Sequence, residues 1–244
     1  MCGIFAAINN DSVTRHLMDG LQNLSYRGYD SAGISLFSKE RIKTIKSVGK
    51  ISELKNKALN VSDKNFYGVI GHTRWATHGV PSDVNAHPHA DNANEFAIIH
   101  NGIIENYAEL KDDLIQDDYS FISETDTEVV AVELSRKWNG ELLDTVLDVA
   151  KSLDGTYALV VTSTKQPGTI VAGRMMSPLV LGVGEGEVFL ASDSAAILEY
   201  TNKMIFLENG DFVEINDGNF TLYDIEKNVI TRDIQVIDWE VSEA

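Results

Sequence analysis

The stretch Met1-Cys2-Gly3-Ile4-Phe5-Ala6-Ala7-Ile8 opens the chain with a cysteine, a glycine and a short apolar run. An unbroken apolar run of this length is typical of a strand that is buried on both faces. We therefore predict that the chain begins with a buried strand over 2–8. Cys2 then lies at the end of that strand, with Gly3 allowing a close approach by other atoms.

Outward from this strand, helices and further strands are predicted in separate clusters. Helical spacing predicts helices over 13–24, 51–59, 104–114, 125–134, 143–150 and, briefly, 193–198. Asp11 or Ser12 is expected to cap the first helix, and Thr125 with Glu128 forms a capping-box pattern. Strands are predicted over 32–37, 42–48, 67–71, 96–100, 157–161, 169–172, 179–183, 188–191, 212–215 and 220–223, and a loop over 72–94. Because regular βαβ alternation is missing, the pattern favours an α+β layered fold.

Composition excludes several classes of protein. The 244 residues carry 20 Lys+Arg and 37 Asp+Glu, a net charge of −17, which argues against nucleic acid as a partner. The acidity lies in two blocks, 105–154 and 208–244, which we interpret as solvated faces of helices and strands. Neither an apolar run long enough to span a membrane nor a signal peptide is evident. The lone cysteine excludes an internal disulfide and fits a cytoplasmic protein.

Cys2 is the first candidate catalytic residue. Removal of Met1 would leave a residue that carries both a thiol and a free α-amine. The α-amine has a reference pKa of about 7.7–8.0 and can accept the thiol proton near neutral pH. Nucleophile and base then lie on one residue, as in enzymes with an N-terminal threonine. The alternative is a buried structural cysteine behind a retained Met1.

Three other stretches could form a site around this thiol. The segment from His72 to Gly79 is rich in donors, and the fork of Arg74 is suited to grip a carboxylate. Asn101 and Gly102 form either an ordinary turn or an oxyanion hole made of one side-chain amide and one backbone N–H. Asp126, at the start of a predicted helix, complements the helix dipole or holds an ammonium group.

The histidines suggest an alternative to a cysteine nucleophile, namely a metal site. Five of six lie between residues 72 and 100, and with Cys2 or Asp91 they could bind zinc in a metal-dependent amidohydrolase. Their spacing matches no common zinc motif, so hydrogen bonding within their own loops is the preferred interpretation and no metal or other cofactor is expected. A second rival is a binding or regulatory module with a blocked terminus and without catalysis.

Taken together, the motifs resemble the glutaminase domain of class II glutamine amidotransferases. The resemblance covers the whole chain and rests on six ordered segments: 2–4, 26–33, 71–79, 85–88, 100–106 and 123–128. It implies the four-layer αββα sandwich of N-terminal nucleophile hydrolases, with two stacked, mainly antiparallel sheets. It also implies that the glutaminase domain occupies residues 1–244.

The resemblance further implies a role for each candidate. Cys2 would attack the side-chain amide of L-glutamine, and Asn101 with Gly102 would stabilise the oxyanion. Arg74, assisted by Thr77 and His78, would hold the α-carboxylate, and Asp126 the α-ammonium. Trp75 would gate an ammonia channel, and His87 would lie in a loop that closes over the site.

The likeness is greatest to the branch of the family that makes glucosamine 6-phosphate from fructose 6-phosphate. That branch continues into sugar isomerase domains, which this sequence does not contain. We therefore expect sugar isomerase domains as partners, in a longer chain or a separate one, and neither nucleic acid nor membrane.

Overall fold

The computed structural model describes residues 2–8, 13–59, 66–76 and 79–238, with residues 13–16 described by their backbone alone. Two antiparallel sheets lie face to face, and helices cover the outer face of each sheet. The predicted αββα sandwich is confirmed. The cap expected at Asp11 or Ser12 falls outside the described residues.

Fifteen strands and five α-helices make up the described part of the chain. The strands are β1 Gly3–Ile8, β2 Ser31–Phe37, β3 Ile42–Val48, β4 Gly68–Arg74, β5 His89–Ala90, β6 Phe96–Ile104, β7 Gly155–Ser163, β8 Thr169–Met175, β9 Val180–Val183, β10 Val188–Ala191, β11 Lys203–Phe206, β12 Phe212–Asn216, β13 Asn219–Tyr223, β14 Val229–Ile230 and β15 Gln235–Val236. The helices are α1 Val13–Asn23, α2 Ile51–Ala58, α3 Tyr107–Gln116, α4 Asp126–Arg136 and α5 Leu142–Ala150. No helix among these is long and apolar enough to cross a membrane.

The first sheet has the order β15-β11-β9-β10-β1-β4-β2-β3, and the second has the order β14-β13-β12-β8-β7-β6-β5. The predicted opening strand β1 lies inside the first sheet, between β10 and β4. Strand β6 lies inside the second sheet, between β5 and β7. Cys2 directly precedes β1, and β6 carries Asn101 and Gly102, so the candidate catalytic residues are held by interior strands whose backbones are paired on two sides.

Three apolar layers hold the sandwich together. One lies between the first sheet and helices α1 and α2, and another between the second sheet and helices α3 to α5. The middle layer lies between the sheets and includes Ile4 and Ile70 from one sheet and Ala97 and Ile99 from the other. All four side chains are fully buried or nearly so, which makes this layer the centre of the molecule.

Strand alternation places the polar candidates at the end of this middle layer. Side chains two residues apart share a face of a strand. Ile4 faces the opposite sheet, so Cys2, two residues before it, is on the same side of the chain. On β4, His72 and Arg74 follow Ile70 on the face that points to the opposite sheet. From the other sheet, Ile99 is followed by Asn101. The rows converge on one polar cluster at the edge of an apolar layer.

The capping box at α4 is half confirmed. Thr125 is the N-cap, and its hydroxyl accepts a hydrogen bond from the backbone N–H of Glu128 at 3.3 Å. The Glu128 carboxylate does not return to Thr125; it accepts bonds from the backbone N–H groups of Ile122 and Ser123 at 2.9 and 2.7 Å. Glu128 therefore holds the chain that leads into the helix, and so fixes where α4 begins.

Several element boundaries differ from the prediction. Residues 72–74 belong to β4 and residues 89–90 form β5, although 72–94 was expected to be loop. Strand β6 runs on to Ile104, and strands β11, β14 and β15 were not predicted. The acidic blocks are only partly solvated: the side chains of Asp126, Glu128 and Glu133 are buried.

Candidate active site

The Cys2 thiol lies where β1 meets the exit of β4. The backbone N–H of Trp75 donates to its Sγ at 3.3 Å, and Sγ is 3.6 Å from the Trp75 carbonyl oxygen. Burial raises the pKa of the thiol, and the N–H of Trp75 opposes that rise. The thiol is therefore predominantly protonated at neutral pH, so its use as a nucleophile requires a base.

Arg74 and Asp126 line the same small cavity as Cys2, although Arg74 belongs to a strand of the first sheet and Asp126 to a helix that covers the second sheet. Arg74 ends β4, is 3% exposed, and donates from Nη2 to the carbonyl oxygen of Gly79 at 3.4 Å. Asp126 begins α4, is 6% exposed, and accepts a bond from the backbone N–H of Ile104 at 2.9 Å. One cavity thus presents a thiol, a cation and an anion.

Asn101 and Gly102 lie inside β6, and not in a turn after it, opposite Ala158 and Tyr157 of β7. Asn101 Nδ2 donates to the carbonyl oxygen of Cys2 at 3.2 Å, so its amide reaches across from the second sheet to the candidate nucleophile. Gly102 has φ +136°, and a Cβ there would collide with the carbonyl oxygen of Thr156. The Asn101 amide is therefore next to Cys2, and Gly102 lines the same cavities as Cys2.

Trp75 stands at the mouth of the site, with 54% of its surface exposed. Its ring packs over Gly28, and it lines both the cavity at Arg74 and a second cavity of about 460 Å³. The second cavity also includes Arg27 and Asn101. Cys2 and Trp75 thus each line both cavities.

Four histidines from three strands and the loop before β5 form a buried cluster. The rings of His72 and His87 stack with centroids 4.2 Å apart, and the ring of His89 meets His87 edge-on at 4.7 Å. The Thr127 hydroxyl lies 2.9 Å from His87 Nε2 and 3.0 Å from His100 Nδ1. Burial lowers the pKa of each imidazole, that of His72 to about 3.

His87 lies in the loop before β5, and its ring is buried in the wall of the cavity that Cys2 lines, held by Thr127 and His72. Closure of this loop over the site stays a prediction. The His87 carbonyl also packs so tightly on Gly33 that a Cβ at that position would collide with it. Within 2–8, 13–59, 66–76 and 79–238, no three His, Cys, Asp or Glu side chains are arranged to hold a metal ion. Ring nitrogens of these imidazoles contact hydroxyl and carbonyl oxygens instead.

Two predicted residues, Thr77 and His78, lie outside the described residues. The structure also brings in residues to which the sequence assigned no role. Asp30 accepts a hydrogen bond from Ala76 N–H at 2.5 Å and so anchors the turn that carries Trp75. The Asn85 side chain donates to Val80 O and Glu124 Oε2, both at 2.9 Å, and ties the loop after Arg74 to the segment before Asp126. Their only sequence signal was membership of the motifs.

Comparisons with known proteins identify relatives of this chain. A family model described as a glutamine amidotransferase domain matches residues 57–235. Glutamine–fructose-6-phosphate aminotransferase (isomerizing) of Aquifex aeolicus is 43% identical over 244 residues, covering all of this chain and 41% of the relative. A Thermus thermophilus protein of the same name is 45% identical, with 40% of its length covered. The chain spans about two fifths of the length of these curated relatives.

Solved structures share the architecture. Glutamine phosphoribosylpyrophosphate amidotransferase from B. subtilis superposes with a TM-score of 0.78 and 25% identity, over 93% of this chain and 50% of that one. A glutamine aminotransferase class-II domain protein from Silicibacter pomeroyi superposes with a TM-score of 0.58 at 15% identity, which supports the fold alone. The family match covers well over half of the sequence, and alignments that cover all of this chain exceed 40% identity. The chain therefore belongs to the glutamine amidotransferase domain family.

Proposed function

We propose that this chain hydrolyses the side-chain amide of L-glutamine to glutamate and ammonia, with Cys2 as the nucleophile. The observation that carries the proposal is the shared cavity, in which Cys2, Arg74 and Asp126 meet. The head group of glutamine is a zwitterion, so its recognition requires a cation and an anion at a fixed separation. The reacting amide must then reach a nucleophile beside oxyanion donors.

The chemistry follows from the groups around the thiol. After removal of Met1, the α-amine of Cys2 takes the thiol proton, and Sγ attacks the amide carbon. The amide of Asn101 and the N–H of Gly102 donate to the oxyanion that develops. When the C–N bond breaks, the amine-bound proton leaves with ammonia and a glutamyl thioester remains. Water then cleaves the C–S bond, which releases glutamate and restores the thiol.

We assign recognition of the substrate to Arg74 and Asp126, the two charged residues that line the cavity. Arg74 would bind the α-carboxylate, with Thr77 and His78 assisting, and Asp126 would bind the α-ammonium. Both side chains are almost completely buried, so their charge pairs with the ligand are weakly screened. His87 would support the wall from behind through Thr127.

The ammonia would serve glucosamine 6-phosphate synthesis from fructose 6-phosphate, because curated relatives that align with the whole chain carry the corresponding enzyme name. Sugar isomerase domains, in a longer chain or a separate one, would accept it on the side of the second cavity, with Trp75 as the gate. We place this reaction in the cytoplasm, where free thiols persist.

The test is glutamate release from L-glutamine by two matched proteins. One is cleaved from a leader so that Cys2 is the first residue, and the other keeps one glycine before Cys2. The first should release glutamate, and the second should be at least about 100-fold slower, because it lacks the α-amine that acts as base. A protein that binds glutamine and releases no glutamate would show a binding module. Activity lost to a chelator and restored by zinc would show a metal-dependent amidohydrolase.

Substrate analogues test the proposed roles of Arg74 and Asp126. Replacing Arg74 by glutamine should raise KM for L-glutamine about 100-fold, because the substrate carboxylate loses a charged partner. The same change should have little effect on 4-aminobutanamide, which lacks the carboxylate. Asp126→Asn should raise KM for L-glutamine by a similar factor. It should leave KM for glutaramate, which lacks the α-amine, nearly unchanged. KM rising equally for a substrate and its matching analogue would contradict the assignment.

A further inference from the structure

We propose that His72 is a positioning residue that fixes the orientation of the Asn101 amide, so that its NH₂ group faces Cys2. The inference rests on the proposed function, because it assigns a task to His72 within the same reaction. His72 itself does not reach the reacting atoms. It acts through Asn101, which its ring contacts across the gap between the sheets.

Two backbone carbonyls determine which way the amide points. His72 Nε2 lies 3.0 Å from the carbonyl oxygen of His100 and 2.9 Å from the Asn101 side chain. A carbonyl can only accept, so Nε2 must carry the proton. The Asn101 atom that faces this N–H is therefore the oxygen. Independently, the other end of the amide faces the carbonyl oxygen of Cys2 at 3.2 Å, which requires a donor there.

The surroundings hold His72 in this one state. Its side chain is fully buried on an interior strand, and the ring of His87 stacks on it at 4.2 Å. Burial lowers the pKa of His72 to about 3, so the ring stays neutral at working pH. Nδ1 is buried and has no hydrogen-bond partner among the described residues, which agrees with an unprotonated Nδ1.

An asparagine amide can flip by half a turn, and only one of its two orientations donates to an oxyanion. In the flipped state its carbonyl oxygen would face Cys2 and repel the developing negative charge. The flip would also set Nδ2 against His72 Nε2–H, donor against donor. His72 therefore removes the unproductive orientation before substrate arrives, which is preorganisation of the oxyanion donor.

The tautomer can be measured in the wild-type protein. A long-range ¹H–¹⁵N correlation spectrum, with His72 assigned by comparison with the H72Q protein, should show the Nε2–H tautomer at neutral pH. An Nδ1–H tautomer or an imidazolium at His72 would overturn the inference. This experiment needs no active variant.

Kinetics test the consequence. H72M removes the donor with little change of volume and should lower kcat about 10- to 100-fold, within the range of losing an oxyanion donor. KM should stay within about two-fold, because Arg74 and Asp126 are unchanged. H72Q supplies an amide N–H and should regain most of kcat. An H72M kcat within about three-fold of wild type, in a folded protein that hydrolyses glutamine, would refute the positioning role alone.

A double-mutant cycle separates positioning from general damage. On an N101A background, H72M should cause no further loss of kcat, since there is no amide left to orient. The matched control is H89M, which alters another buried imidazole, bonded to the Thr125 hydroxyl at 3.1 Å. Its effect should add to that of N101A. Additive effects of H72M and N101A would contradict the proposal. Inactivity of the wild type would instead refute the proposed function.

Discussion

Cys2→Ala should lower glutaminase kcat by at least about 10⁴-fold, the order of loss seen when a covalent nucleophile is removed. The alanine variant is informative because alanine, like cysteine, permits removal of Met1 and keeps the α-amine. Only the thiol disappears. A loss of glutamate release in that variant would therefore be due to the missing sulfur and not to a changed terminus.

The Cys2→Ala variant should keep both its fold and its affinity for L-glutamine. The Cys2 side chain is only partly buried, and its hydrogen-bond contacts are with the backbone of Trp75. Thermal unfolding should match wild type within a few degrees, and calorimetry should give a Kd for L-glutamine within about five-fold, since Arg74 and Asp126 remain. Cys2→Ser should retain a slow reaction, because a hydroxyl is the weaker nucleophile. Glutamate release by the alanine variant at more than about 1/100 of the wild-type rate would refute the assignment.

The buried histidines should make the protein sensitive to mild acid. The pKa values of His72, His87, His89 and His100 are all lowered in the folded state by burial, that of His72 to about 3. In the unfolded chain a histidine titrates near a pKa of about 6.5. Between these values the unfolded state binds more protons than the folded state, so stability falls as pH falls. The loss begins below about pH 6.5 and continues, for His72, until about pH 3.

The expected size of this effect is large. At about pH 5 each histidine that is neutral when folded and charged when unfolded costs about 2 kcal/mol of unfolding free energy. Several together cost a sizeable part of the roughly 5–15 kcal/mol that typical proteins possess. For His100 the nearby Asp126 carboxylate, 3.9 Å from Nδ1, partly offsets the burial.

Urea unfolding followed by tryptophan fluorescence between about pH 7.5 and pH 5 measures this loss. H72Q and H89M should each reduce the slope of the unfolding free energy against pH. The reduction should correspond to about one proton, because one titrating group is removed. Unfolding free energies that are constant across this interval would show that the imidazoles are solvated or already charged in the folded protein.

Much of the architecture was predictable because local patterns and tertiary structure agree. The apolar run to Ile8 is an interior strand, and Thr125 caps α4 as its sequence context predicts. Prediction failed where polar side chains occupy buried strand positions. His72 and Arg74 look like loop residues, yet they continue β4 because the chain pairs there with β1 and β2. Strands β14 and β15, two residues each, leave almost no periodic signal.

The site was only partly predictable, for a related reason. Motifs predicted Cys2, Arg74, Asn101 and Asp126 as site residues, but several contacts that shape the site join residues far apart along the chain. The contact between His72 and Asn101 spans 29 residues, and that between His87 and Thr127 spans 40. No local window contains such pairs. Neither the burial of the histidines nor the orientation of the amide could therefore be obtained without the fold.

The proposed nucleophile, Cys2, adjoins the first sheet and the proposed oxyanion donors lie in the second, so the gap between the sheets sets the distance between them. Cys2 belongs to the row of Ile4, and Asn101 to the row of Ala97 and Ile99. An extra methylene in that layer would spread the sheets and carry the thiol away from its donors. In the proposed reaction, the apolar side chains between the sheets therefore set the alignment of the reacting groups as well as the stability of the fold, and their volumes are under chemical as well as structural constraint.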